Sequence, residues 1–322
     1  MADEIVPGIF RIELPLPRNP LKAVNCYVIP GEHRSLIIDT GMNRTECREV
    51  LERELESLDL DLAKTDVLVT HLHADHLGLA PFITKGRNEV MMGEKDINAI
   101  KESDYWSSML ENALKHGFPN VDPQEAISKH PGYKYGPLGE MKLAPLRGGE
   151  VLEYGGRSLK AVHTPGHSRG HLCLYDRKDG ILFSGDHILG DITPNISAWS
   201  QVEDPLSTYV SSLLKTRKME VELTLPGHGS PILDHRKRID ELIHHHGERA
   251  QEVLDIIDGS EMDAMTIASR MTWDMSYDSF EEFPVMQKWF ALGEAIAHIR
   301  FLESKSEVKR SFDGKIFRFS AL

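Results

Sequence analysis

The stretch Asp66-Val67-Leu68-Val69-Thr70-His71-Leu72-His73-Ala74-Asp75-His76 decides how the rest of the chain is read. Its first half, Asp66 to Thr70, is a short β-branched apolar run, the pattern of a buried strand. Its second half concentrates three imidazoles and a carboxylate within six residues. A single histidine is usually structural or solvated. His71, His73, Asp75 and His76 directly after a buried strand instead read as a ligand set, because a rigid sheet positions the reactive groups of the loops at its edge. A helix is expected to start near Leu77.

Upstream, Ile9 to Leu14 alternates apolar and polar residues and is stopped by Pro15 and Pro17. Asn25 to Ile29 and Ser35 to Ile38 are two further short strands. The first closes at Pro30-Gly31 and the second at Asp39-Thr40-Gly41, which suggests an antiparallel start to a sheet. Arg44 to Leu58 shows helical spacing of Val50, Leu51, Leu55 and Leu58, with Asn43 expected as N-cap.

Downstream, residues 94–146 change texture. Helical stretches are broken by Gly117, Pro119, Pro123, Pro131 and Pro137, which suggests a helical insertion, either a lid that shapes the substrate site or a packed surface excursion. Strand patterning returns at Leu159 to Val162, which ends in His163-Thr164-Pro165-Gly166-His167. Leu172 to Tyr175 and Ile181 to Ser184 flank Asp179-Gly180, a hairpin turn, and the second ends at Gly185-Asp186-His187. A helix over Asp204 to Arg217 has Pro205 in its first turn. A last strand, Leu223 to Leu225, ends at Pro226-Gly227-His228-Gly229. Beyond residue 234 the chain is helical: one long amphipathic helix from Ile239 to Ile257 and another from Val285 to Leu302. A hairpin around Asp313-Gly314 follows. The expected division is residues 1–232 as the catalytic domain and 233–322 as a small winged-helix-like domain.

The 322 residues carry a formal net charge of -13, with 40% hydrophobic and 27% charged residues. That is an ordinary globular composition, and it argues against nucleic acid as the main partner. Cys26, Cys47 and Cys173 form neither a disulfide framework nor a CxxC site. A basic, apolar leader and any long apolar run are both lacking, so the expectation is a cytoplasmic enzyme without a membrane span.

His71/His73/Asp75/His76, His167, Asp186 and His228 thus form four groups, each just after an expected strand. Imidazole and carboxylate suit zinc, and also iron or manganese. Two adjacent ions need about seven ligands with one shared, and five histidines and two aspartates are on offer. Two divalent metal ions are therefore expected as cofactors, zinc first.

The motifs Asp39-Thr40-Gly41, Thr70 to His76, Thr164 to His167, Ser184 to Asp186 and Pro226 to Gly229 resemble, in order, those of the metallo-β-lactamase superfamily. The resemblance implies a four-layer αβ/βα sandwich with metals at one edge. It implies that His71, His73 and His167 bind one ion, that Asp75, His76 and His228 bind the other, and that Asp186 bridges them. Asp39 is expected to orient a ligand from behind. The C-terminal layout, with Ala297 to Leu302, resembles the branch containing β-lactamase-like endoribonucleases. Glyoxalase II shares the metal set, but its glutathione-binding tail is not recognised here.

Other features receive plainer readings. His163, His171 and His187 are read as local hydrogen-bonding residues, with His187, next to Asp186, the first choice for a supporting contact or proton donor. His244, His245 and His246 cannot share one helix face and are read as surface residues, His246 half-buried. The basic run His235 to Arg238 and the tail cations Lys305, Lys309, Arg310, Lys315 and Arg318 are read as solvated charge. Trp106, Trp199, Trp273 and Trp289 are read as core, with Trp199 a candidate pocket wall.

The expected reaction is attack of metal-bound hydroxide on a thioester, ester or lactone of a small acyl substrate, with Asp75 and Asp186 orienting the nucleophile. Leu189 stands where lactonases of this superfamily often have tyrosine, which weighs against a lactone. The alternatives are a metal-dependent ribonuclease or phosphodiesterase and a mono-iron oxidoreductase resembling persulfide dioxygenases. A homodimer is the assembly left open.

Overall fold

The computed structural model describes residues 2–17, 19–119, 122–200, 203–275 and 277–322. The chain forms two compact units. The first comprises Met1–Lys101, Pro131–Pro194 and Lys215–Arg238; the second comprises Glu102–His130, Asn195–Leu214 and Ile239–Leu322.

The first unit is built on two sheets. One has seven strands in chain order: β1 (Asp3–Val6), β2 (Ile9–Pro15), β3 (Ala23–Ile29), β4 (Ser35–Ile38), β5 (Thr65–Leu68), β6 (Glu89–Gly93) and β7 (Lys142–Leu146). The other has five, β8 (Val151–Tyr154), β9 (Arg157–His163), β10 (Leu172–Asp176), β11 (Ile181–Gly185) and β12 (Leu223–Pro226), in the order β12-β11-β10-β9-β8. The early strands pair antiparallel. From β4 to β7 the pairing is parallel, made possible by crossover helices. These include α1 (Thr45–Ser57), α2 (Ala74–Leu77), α3 (Ala80–Thr84) and α4 (Glu94–Lys101).

Two cores explain the layering. Ile29, Leu36, Ile38 and Leu68 from the larger sheet meet Leu159, Leu172, Leu174 and Phe183 from the smaller one, all essentially without solvent contact. On the outer face of the larger sheet, Ile12, Val24, Ile37 and Val67 pack under Cys47 and Leu51 of α1 and Ile83 of α3. The uninterrupted apolar runs Ser35–Ile38 and Val67–Val69 are thus explained: strands covered on both faces need apolar residues at every position. Cys173, Leu182 and Thr224 on the far face of the smaller sheet are also fully buried.

Several expectations are corrected. Asn43 does not cap α1; Arg44 holds that position, without a side-chain cap bond. The Asn43 amide instead donates to the Tyr135 carbonyl. Residues 94–146 are not wholly a helical insertion. They hold α4, α5 (Tyr105–Lys115), α6 (Pro123–Lys129) and α7 (Pro131–Lys134), but also β7, which extends the main sheet beside β6. β1, β6 and β8 were not anticipated.

The second unit contains α5, α6, most of α9 (His235–Ile257), α10 (Ala264–Arg270), α11 (Val285–Ser304) and the antiparallel pair β13 (Val308–Phe312) and β14 (Phe317–Ala321). Helix α8 (Pro205–Arg217) lies partly in each unit. α11 is buried from Ala291 to Arg300 on nearly every side, with Trp289, Leu292, Ile296 and Ile299 among its buried apolar residues and His298 and Arg300 buried with them. Trp199 stacks on Trp289 with centroids 4.8 Å apart, and Phe118 meets Trp289 edge-on. His246 is fully buried rather than half-buried and lies 3.2 Å from His298 Nε2. His235 is buried too. No helix among the described residues is long and apolar enough to cross a membrane.

Candidate metal centre

Strand direction gathers the site. β4, β5 and β6 run parallel, so Asp39, the His71–His76 segment and the start of α4 emerge at one edge. In the smaller sheet β11 and β12 are parallel, and β9 points the same way because β10 is antiparallel to both β9 and β11. The loops bearing His167, Asp186 and His228 therefore leave from the carboxyl ends of β9, β11 and β12.

All seven anticipated ligands converge there. His71, His73 and His167 place one nitrogen each within a small triangle: His71 Nε2 to His73 Nδ1 is 3.0 Å, His167 Nε2 to His73 Nδ1 is 3.0 Å, and His167 Nε2 to His71 Nε2 is 3.2 Å. Asp75, His76 and His228 form a second group. Asp186 lies between them, with Oδ2 3.7 Å from His167 Nε2 and 3.5 Å from His228 Nε2, and Oδ1 3.5 Å from His76 Nε2.

Three of the five imidazoles are oriented from behind. His76 Nδ1–H donates to Asp39 Oδ2 at 2.7 Å, and His228 Nδ1–H donates to the Ala23 carbonyl at 2.7 Å. His71 Nδ1 lies 3.0 Å from the Thr70 hydroxyl, which itself donates to Asp39. With Nδ1 so engaged, the Nε2 lone pair of each ring faces the cluster. Asp39 adopts a left-handed φ of 61° and also accepts the Thr70 amide.

The electrostatics differ between the halves. Burial pushes the His71 and His73 imidazoles down, His73 to about 3. At His228 burial is opposed and outweighed by the Asp186 and Asp75 carboxylates, which lift it to about 10. His76 is raised in the same way by Asp39 and Asp186. The buried Asp39 and Asp186 and the half-buried Asp75 thus surround these two rings and require positive charge.

The donor set fits divalent metal. His76 Nε2, His228 Nε2 and Asp186 Oδ1 are buried without a hydrogen-bond partner, an uncommon state unless another ligand is bound there. The nitrogen triangle has the size of one face of a coordination shell with metal–nitrogen distances of about 2.0–2.1 Å.

The family assignment follows from the match of residues 19–228 to the metallo-beta-lactamase superfamily. The chain belongs to that superfamily. It is 26% identical to the lactamase-like protein aptB of Emericella nidulans, over 74% of this chain and 62% of that protein. It is also 26% identical to the atrochrysone carboxyl ACP thioesterase nsrC of Aspergillus novofumigatus, over 74% of this chain and 59% of that protein. The chain therefore spans less than two thirds of either relative. A β-lactamase domain protein from Burkholderia ambifaria has a similar structure, with a TM-score of 0.85 and 28% identity, covering 100% of this chain and 94% of that one.

Residues that sequence reasoning passed over complete this superfamily site. Asn25 Nδ2 donates to the carbonyls of Pro226 and Gly229, the Asn25 amide donates to the Gly227 carbonyl, and the Tyr27 hydroxyl donates to the Pro226 carbonyl. A buried asparagine inside the apolar strand Ala23–Ile29 was the available signal. The neighbouring histidines stand just outside the cluster. His171 Nε2 accepts the Asp186 amide and its Nδ1 meets Thr164. His187 Nε2 meets Thr216, and His163 Nε2 meets the Arg169 carbonyl.

Proposed function

We propose that the protein is a thioesterase-type hydrolase of small acyl substrates, with esters and lactones as neighbouring substrate classes and two zinc ions as cofactors. The observation behind this reading is the pair of adjacent three-residue clusters, His71/His73/His167 and Asp75/His76/His228, with Asp186 between them. The relative nsrC, an atrochrysone carboxyl ACP thioesterase, points to the acyl class. The buried Leu189 weighs against a lactone.

Divalent ions held there would lower the pKa of water and polarise a carbonyl oxygen. The chain's own groups do the rest. His71, His73 and His167 would hold one ion and Asp75, His76 and His228 the other, with Asp186 placed between the two groups. Although burial opposes it, His76 and His228 hold the Asp75 carboxyl below the usual carboxylate range, and Asp186 is held there likewise. Both carboxylates are therefore ionised at neutral pH, able to accept a proton from the attacking water and fix its direction. Asp39 and the Ala23 carbonyl keep the His76 and His228 rings in place through the reaction.

The test uses protein stripped of metal and reloaded with zinc, assayed on acyl-thioesters, esters, lactones and single-stranded RNA. Thioester turnover is expected to depend on two bound ions and to vanish, with lower metal content, in Asp186→Ala and His167→Ala. Full metal content and unchanged turnover in both variants rejects the reading, as does cleavage of RNA alone.

A further inference from the structure

Asp96 has no place in the seven-residue ligand set, yet its carboxylate is fully buried beside it. It sits in the first turn of α4, immediately after β6. Its Oδ2 accepts the Leu72 amide at 3.1 Å and the Ser168 hydroxyl at 2.7 Å, and its Oδ1 accepts the Gly170 amide at 2.7 Å. Leu72 separates His71 from His73, and Ser168 follows His167 directly. One carboxylate therefore ties the loop after β5 to the loop after β9. These are the loops that supply the three nitrogens of the His71/His73/His167 triangle.

We propose that Asp96 is a positioning residue for that triangle, setting the gap between the two loops and hence the affinity of the first cation. The inference rests on reading His71, His73 and His167 as ligands of one ion.

Three features support it beyond the hydrogen bonds. The contact is too tight to be incidental. A Cβ on Gly170 would fall 2.5 Å from the Asp96 nitrogen, and a Cβ on Gly93 would fall 1.8 Å from the Gly170 carbonyl oxygen. The β6–α4 junction and the His167 loop thus approach at a distance only glycine permits. The chemistry also calls for a carboxylate, because all three partners are donors and an ionised aspartate only accepts. An asparagine would turn its NH2 toward one of those donors, leaving a buried amide or hydroxyl unpaired. Finally, burial raises the Asp96 carboxyl only to about 6, since Ser168, Gly170 and Leu72 oppose the rise. It is ionised at neutral pH, as the bonding pattern requires.

The second cluster has no such tie to Asp96. His76 and His228 are held by Asp39 and the Ala23 carbonyl instead. Loss of Asp96 should therefore weaken one cation site and spare the other. A residue that merely stabilised the fold would not discriminate between them.

The test compares the full-length wild type with Asp96→Asn, both stripped with chelator and titrated with cobalt(II), read by visible absorption and by calorimetric stoichiometry. Wild type is expected to bind two ions. Asp96→Asn is expected to bind one with unchanged affinity and the other about 10–100-fold more weakly, the scale typical when a group supporting a ligand is lost. Equal binding by both proteins overturns the role of Asp96 alone. Equal weakening of both sites in Asp96→Asn also overturns it, by assigning the residue a general structural role. A wild type that binds no cobalt overturns the metal reading itself, and the two failures are distinguished in this way. Circular dichroism of the stripped proteins checks folding. If Asp96→Asn does not fold, Ser168→Ala, which removes one of the three bonds, decides the matter. A selective weakening of one site supports the proposal and an unchanged titration rejects it.

Discussion

Single atoms decide whether this site can exist, and Gly227 is the clearest case. A Cβ there would lie 2.3 Å from Asp186 Oδ1 and 2.8 Å from His76 Cε1. Gly227→Ala is therefore expected to displace the Asp186 carboxylate and weaken metal binding, and with it turnover, by about 10–100-fold, the scale typical when support at a metal site is lost. Gly190→Ala is the control, since its nearest neighbour would be 3.5 Å away. Equal metal content in the two variants would refute the argument. The seven residues that converge at the candidate centre were legible in the sequence, because HxHxDH, PGH, GDH and PGHG are local patterns. Asp39 was legible only through resemblance. Asn25 stood out only as a polar residue in an apolar strand and Asp96 not at all, because their partners lie far away along the chain and a polar residue shows its hydrogen bonds only once it is buried.

At the scale of elements, β3 does more than pair with its neighbours. Through Asn25 and Tyr27 it holds the loop that follows β12. Asn25→Ala removes two of those bonds and leaves the Gly229 carbonyl without that partner, so a loss of about 1–3 kcal/mol is expected. Guanidinium unfolding measures it, and a midpoint unchanged from wild type would show that β12 holds its loop unaided. Helix α1 is anchored by Leu51, which has no solvent contact and packs on the outer face of the sheet. Leu51→Ala should cost about 2–5 kcal/mol through lost burial and the cavity left behind, read in the same experiment. Most strands of the sheets were legible because apolar runs and alternation are local. β1, β6, β7 and β8 were not. β6 and β7 lie among helical patterns, and their strand character comes from the sheet edge that receives them. The cap of α1 was misread for a related reason: Asn43 is drawn off by tertiary hydrogen bonds to Tyr135 and Gly136.

For the molecule as a whole, the buried histidines set its response to acid. In the second unit, burial lowers His116, His130 and His298 to about 4. In the unfolded chain each would titrate near 6.5. Between those values the unfolded state binds protons that the folded state does not. Stability is therefore complete above about pH 6.5 and is lost as pH falls toward 4. Each group is expected to lose about 2 kcal/mol by pH 5. Denaturant midpoints at pH 7 and pH 5 test this, and equal midpoints would refute it. In the first unit, removing bound cations should lower the melting temperature, because Asp39, Asp186 and the half-buried Asp75 then share only the protons on His76 and His228; calorimetry with and without chelator reads it.

The sequence by itself determined the metal chemistry, the superfamily resemblance and most of the strands, since each is written in residues that are neighbours in the chain. Tertiary structure alone decided which segments make up the two units, where β7 belongs, how deeply His246 and His235 are buried, and that Asp96 and Asn25 bond to the loops bearing the clustered histidines. Those features depend on contacts between residues far apart in sequence, and desolvation and hydrogen-bond pairing are fixed only when the chain has closed around them.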